Sequence, residues 1–139
     1  MLDTSVMVAA TRSDSGASRL LLSGALRRRL ILVASVPLMI EYEAVMTRAE
    51  HLAASQLSTE DVGVLLDAVG AVTEPVKLAF LWRPALRDPD DDMVLEAAVN
   101  GQADMIVTFN LRDFGKTVSR FGLTAMPPGE ALKILETER

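Results

Sequence analysis

Two short apolar runs, each set between amphipathic stretches, narrow the fold more than any other feature of this sequence. Leu30–Ala34 is apolar throughout, and Asp104–Thr108 has the apolar centre Met105-Ile106-Val107. Runs of that length with no polar alternation read as strands buried on both faces, the habit of parallel sheets covered by helices. A third, Leu2–Ala10, is broken only by Asp3-Thr4-Ser5 and reads as a short strand ending in a polar turn. Only two residues precede Asp3, which leaves open a natural start upstream.

Helical stretches fall between these runs. Ala17–Leu26 follows the polar loop Ser13–Ala17 and offers Leu20, Leu21 and Leu22 to the core, with Arg27-Arg28-Arg29 at its carboxyl end, where the dipole favours cations. Ser35 caps the next helix and Pro37 sits in its first turn. Leu38, Glu41/Tyr42, Val45 and Ala49 then recur at three- and four-residue steps, so Glu41 lies on or beside the core face, an odd place for a carboxylate. Ser58 starts a further helix with Asp61 completing a capping box, Val62, Leu65, Leu66 and Val69 forming its stripe and Gly70 closing it. Ala71–Thr73 is a candidate strand, and Pro75–Arg87, with Trp82, is expected over an edge of the fold. Asp88-Pro89 opens a helix that Asn100-Gly101 ends. A short helical piece at Asp113–Val118, a weak strand at Leu123–Met126 and a last helix from Pro127 or Pro128 to Thr137 complete the chain. Alternation of this kind predicts a single domain over residues 1–139, a three-layer α/β/α sandwich around a central, mostly parallel sheet.

Composition removes several chemistries. The chain has no cysteine and one histidine, His51, so thiolate metal sites, cysteine nucleophiles and a Ser-His-Asp triad lose support. Fourteen Lys+Arg against nineteen Asp+Glu give a formal net charge of -5, which argues against holding nucleic acid by basicity alone. Neither a signal peptide nor an apolar run of membrane-spanning length is visible, so a cytoplasmic protein without membrane contact is expected.

In an open parallel sheet, ligands sit beyond the carboxyl ends of the strands. Asp3 ends the first expected strand, Glu41 lies in the second turn of the helix after Leu30–Ala34, Asp91 and Asp92 lie in the first turn after Asp88-Pro89, and Asn110 and Asp113 follow Asp104–Thr108. Carboxylates gathered at one edge repel by roughly 4 kcal/mol per pair at 4 Å and intermediate dielectric. Mg²⁺ or Mn²⁺ is the natural counterion for such oxygens, and without histidine or cysteine in the set zinc is disfavoured. Each residue also has an ordinary reading. Asp3 can bond the Thr4 or Ser5 amides, Glu41 can face solvent, Asp88 to Asp92 can serve a helix start, and Asp113 can cap the short helix after it. Thr4, Ser5 and Thr108 can position water or phosphate or satisfy turns. Arg12, Arg19, Arg27–Arg29 and Arg112 are candidate RNA-backbone contacts or a solvated rim, and His51 reads as a surface residue at a helix end.

These segments resemble those of the PIN domain family, in the branch of toxins from bacterial toxin–antitoxin pairs. Leu2-Asp3-Thr4-Ser5 resembles its opening, Ser35 to Met46 its second acidic segment with Glu41 as the acid, and Arg87 to Thr108 its third. In the third, Asp92 is the best match to the family's metal-binding aspartate and Asp91 its competitor. In Thr108-Phe109-Asn110-Leu111-Arg112-Asp113-Phe114 many relatives carry aspartate where Asn110 stands, so the fourth acid is assigned to Asp113 with Asn110 as a neutral partner. The resemblance implies an endoribonuclease for single-stranded RNA that uses Mg²⁺ or Mn²⁺, forms a homodimer and is blocked by a small antitoxin protein. It further implies that Asp3, Glu41, Asp92 and Asp113 are the catalytic acids and, with Asp91, the metal set, supported by Thr4, Ser5, Asp88, Thr108 and Asn110. Whether Glu41 or Asp92 moves a proton stays open. So do a DNA or small-phosphoester hydrolase, and a PIN-fold binding protein without catalysis.

Overall fold

The computed structural model describes residues 1–13, 15–77, 89–114, 118–119 and 121–137, with the side chains of 89–91 and 113 outside that set. The expected edge-covering segment with Trp82 therefore lies largely outside the described residues, as does Asp88.

The first segment departs from the strand expected of Leu2–Ala10. It forms helix α1, Thr4–Arg12, and only Leu2 pairs with another strand, through one parallel bridge to Val107. Capping explains the difference. Asp3 has extended backbone angles and its carboxylate accepts from the Thr4 amide, which starts a helix at once. Val6, Met7, Ala10 and Thr11 then face the interior at helical spacing, and period 3.6 overrides the apolar composition.

Helix α2 spans Ala17–Leu26, the range the sequence predicts. Strand β1 is Leu32–Ala34 and helix α3 is Val36–Met46, capped by the Ser35 hydroxyl on the Leu38 amide at 3.2 Å. The stripe predicted to reach Ala49 breaks at Thr47, and a separate helix α4, Ala49–Ser55, follows. Helix α5, Thr59–Val72, carries the full capping box of Ser58 and Asp61 and runs through Gly70 rather than closing there. Strand β2 is Thr73–Pro75, α6 is Pro89–Asn100 and β3 is Met105–Val107. Helix α7 is Leu111–Phe114, while the middle of the helical piece predicted for Asp113–Val118 lies outside the described residues; β4, Thr124–Met126, and α8, Pro128–Thr137, close the chain.

Pairing is parallel throughout, as buried apolar runs require. β1 pairs with β2 and β3 with β4, forming two small sheets among the described residues, and Leu2 extends the second of them beside β3. The protein is thus an α/β fold, mostly helical. α6 packs on both β1 and β3, and α1 packs against α2, α3 and α4. Between them Val6, Met7, Leu38, Leu95, Ile106 and Phe114 are fully enclosed. Burial of each such side chain is worth about 1.5–3 kcal/mol. The core thereby fixes three chain exits on neighbouring elements: Asp3 after Leu2, Ser35 after β1 and Thr108 after β3. No helix among the described residues is long and apolar enough to cross a membrane.

Candidate active site

Asp3 is where backbone and side-chain chemistry meet. Its amide donates to the Val107 carbonyl at 2.9 Å, locking the residue to the end of β3. Its carboxylate is 6% exposed and accepts from three donors: the Thr4 amide at 2.8 Å on Oδ1, and the hydroxyls of Ser5 at 2.9 Å and Thr108 at 2.7 Å on Oδ2. A buried carboxylate needs such donors, since each unmet oxygen would carry a desolvation cost. The Thr108 hydroxyl also accepts from the Asn110 amide at 2.9 Å, so one oxygen couples the end of β3 to Asp3.

Tyr42 secures the same spot from α3. Its phenol donates to the Leu2 carbonyl, one residue before Asp3. Burial, and secondarily the nearby Asp3 charge, push the phenol above its ordinary range, which keeps it a donor at neutral pH. Glu41, its neighbour in sequence, is half-buried and lines a cavity of about 380 Å³ together with Asp3, Thr4, Ser5 and Asn110. One turn of helix therefore does two jobs: Tyr42 grips the backbone beside Asp3, and Glu41 adds a second carboxylate to the cavity.

Asp3 and Glu41, a carboxamide and two hydroxyls supply a cluster of oxygen donors to this cavity. Such donors suit a hard dication. Among the described residues no three acids or histidines stand close enough together to form a complete metal cluster. Asp92 is buried in the first turn of α6 but is not among the residues lining this cavity. The side chains of Asp91 and Asp113 fall outside the described set, and Asp88 with them. The structure thus brings together Asp3, Thr4, Ser5, Glu41, Thr108 and Asn110.

The candidate RNA contacts scatter. Arg19 donates through Nε to the Ala10 carbonyl at 2.5 Å, a tie from α2 to the end of α1. Arg112 is exposed on α7. Arg12 contacts His51 Nδ1 at 2.7 Å. His51 stands in the first turn of α4, at a helix end as its sequence reading had it, and is half-buried where it lines the acidic cavity with Arg48. Neither Arg48 nor Glu96 stands out in the sequence. Glu96 is a fully buried carboxylate one turn beyond Asp92 on α6, and that four-residue step was its available signal. Arg48 had none, because its place depends on the break between α3 and α4.

A larger cavity, about 450 Å³, lies at the opposite, amino-terminal ends of β1 and β3, with walls dominated by Leu21, Leu30–Val33 and Ile134. Its polar residues, Arg29, Glu74, Gln102 and Asp104, stand among mostly apolar walls, and its size alone does not make it the site.

A family model described as the PIN domain matches residues 1–112. No curated protein and no solved structure matches the chain.

Proposed function

The chain belongs to the PIN domain family, and from that premise we propose that it is a divalent-metal-dependent endoribonuclease acting on single-stranded RNA, the toxin of a pair neutralised by a small antitoxin. PIN domains are generally metal-dependent nucleases, and the choice of RNA is our reading. The observation that carries it is the buried Asp3 carboxylate, oriented by three donors and lining one cavity with Glu41. Asp3, Glu41, Asp92 and Asp113 are assigned to hold Mg²⁺ or Mn²⁺, with Asp91 the competitor of Asp92. Such an ion, when bound, neutralises phosphodiester charge and acidifies water. Glu41 or Asp92 takes the proton released, through water. Thr4, Ser5 and Thr108 hold Asp3 in place, Asn110 adds a neutral oxygen, and Asp88 is assigned a supporting role. We further propose one domain over residues 1–139, a three-layer α/β/α arrangement, a homodimer and a cytoplasmic setting.

Purified protein should cleave single-stranded RNA with Mg²⁺ or Mn²⁺, and the Asp3→Asn form should lose that activity. Equal cleavage by both forms would sink the assignment. Parallel assays on RNA, DNA and a generic phosphodiester under one metal condition separate a ribonuclease from a broader phosphohydrolase.

One observation favours a second reading, a binding protein that keeps the fold without catalysis: a neutral residue, Asn110, lines the cavity beside Asp3 and Glu41. Folded protein that gives no heat with Mn²⁺ in calorimetry would establish that reading over the first.

A further inference from the structure

We propose that Arg48, which lines the acidic cavity, together with Arg12, which lies behind the lining residue His51, forms a phosphate-binding wall that grips the backbone phosphate next to the one at Asp3 and Glu41. This rests on the reading of the site as a nuclease for single-stranded RNA. Burial grades across the cavity from Asp3, which is enclosed, through half-buried Glu41 and His51, to exposed Arg48. The acids therefore sit deep and the cation sits at the rim.

Arg48 is not occupied elsewhere. It stands at the amino end of α4 without a side-chain capping bond, and it forms no ion pair among the described residues. Its backbone carbonyl accepts from the His51 amide at 3.0 Å, placing the two side chains one turn apart, as neighbours.

Arg12 is held in an unusual way. Its Nη2 contacts His51 Nδ1 at 2.7 Å, and a guanidinium can only donate, so the ring nitrogen is the acceptor in this contact. A carboxylate in the place of that nitrogen would hold Arg12 equally well but cancel its charge. An imidazole nitrogen orients the guanidinium and leaves the charge, and the remaining donors of its fork, for an anion. In a chain of net charge -5, local cations of this kind are what a polyanionic strand requires to approach.

The test measures KM for a short single-stranded RNA with Mg²⁺ over a series of salt concentrations, beside Mn²⁺ affinity by calorimetry. Arg48→Ala and Arg12→Ala should each raise KM about tenfold, the loss of one charge-assisted hydrogen bond. Each should flatten the dependence of log KM on log salt by about 0.7, the value for one phosphate contact on a single strand. Mn²⁺ affinity should stay within about twofold, which a collapsed cavity would not allow. Arg48→Lys should recover part of the affinity, and Lys133→Ala, on α8, should match wild type. Wild-type cleavage with unchanged KM and salt slope in Arg48→Ala overturns the wall and leaves the nuclease reading standing. Wild type that neither binds Mn²⁺ nor cleaves RNA overturns both.

Discussion

The Thr108 hydroxyl donates to Asp3 Oδ2 at 2.7 Å across 105 residues of chain, and both side chains are buried. Thr108→Val keeps the shape and removes the donor, so Oδ2 loses one of its two hydroxyl partners and the Asn110 amide loses its acceptor. A buried group left unmet costs about 1–3 kcal/mol, and a loss of that order is expected in denaturant unfolding. Mn²⁺ affinity should fall with it, because Oδ2 is then held by Ser5 alone, while Thr108→Ser should restore both. A Thr108→Val protein with wild-type stability and metal affinity would show that the Asp3 orientation is set by Thr4 and Ser5 alone.

Tyr42 supplies a pH test. Its folded pKa is raised above the ordinary phenol value, first by burial and then by Asp3. For a group raised in the folded state, the stabilisation is complete below the unfolded value of about 10 and is lost as pH climbs through the folded one. Wild type should therefore lose stability above about pH 10, and the Tyr42→Phe form should show a flatter alkaline limb. The chain has a single tyrosine, so the phenolate absorbance reports this residue alone. Absorbance that titrates at the ordinary phenol value in folded protein would contradict the buried bond to Leu2.

Glu41 is the second carboxylate lining the cavity. Glu41→Gln removes one charge from the oxygens that would face a dication there, so it should weaken Mn²⁺ binding. Thermal unfolding with and without Mn²⁺ reads this, because a ligand that binds the folded state raises its stability. The upward shift on adding Mn²⁺ should shrink in the Glu41→Gln form, and an undiminished shift would mean that Glu41 does not serve the metal.

Local chemistry was the legible part of this fold. Ser58 and Asp61 form the capping box their spacing announces, Ser35 caps α3, and Ala17–Leu26 begins and ends where its polar flanks place it. The apolar runs gave parallel strands because nothing competes for them. Leu2–Ala10 misled because one side chain, Asp3, changes the period of everything after it from two to 3.6. Within the site, Asp3 was readable as an acid directly after the first apolar residues and Glu41 as one in the second turn of the helix after Leu30–Ala34. His51 and Arg48 were not, since their position depends on the stop at Thr47 and on the packing of α4 against α1, a tertiary event that no local pattern encodes.

Gly101 is a second place where tertiary contact decides what a local pattern does not. It follows α6, and a Cβ there would lie 2.7 Å from Val76 Cγ2, 2.9 Å from the Ala97 carbonyl oxygen and 3.2 Å from Val33 Cβ. The Val76 methyl can swing aside, but the carbonyl belongs to α6 and Val33 to β1, so alanine must push helix and strand apart. Overpacking of this kind costs about 1–3 kcal/mol. Because α6 carries buried Asp92 in its first turn, the shift should also lower Mn²⁺ affinity if Asp92 serves the metal. Val76→Ala removes the nearest clash and should recover part of the stability in the double mutant, with a coupling of about 0.5 kcal/mol or more in a double-mutant cycle. Additive effects of the two substitutions would mean that α6 already has room at β1, and that the position of Asp92 does not depend on this contact.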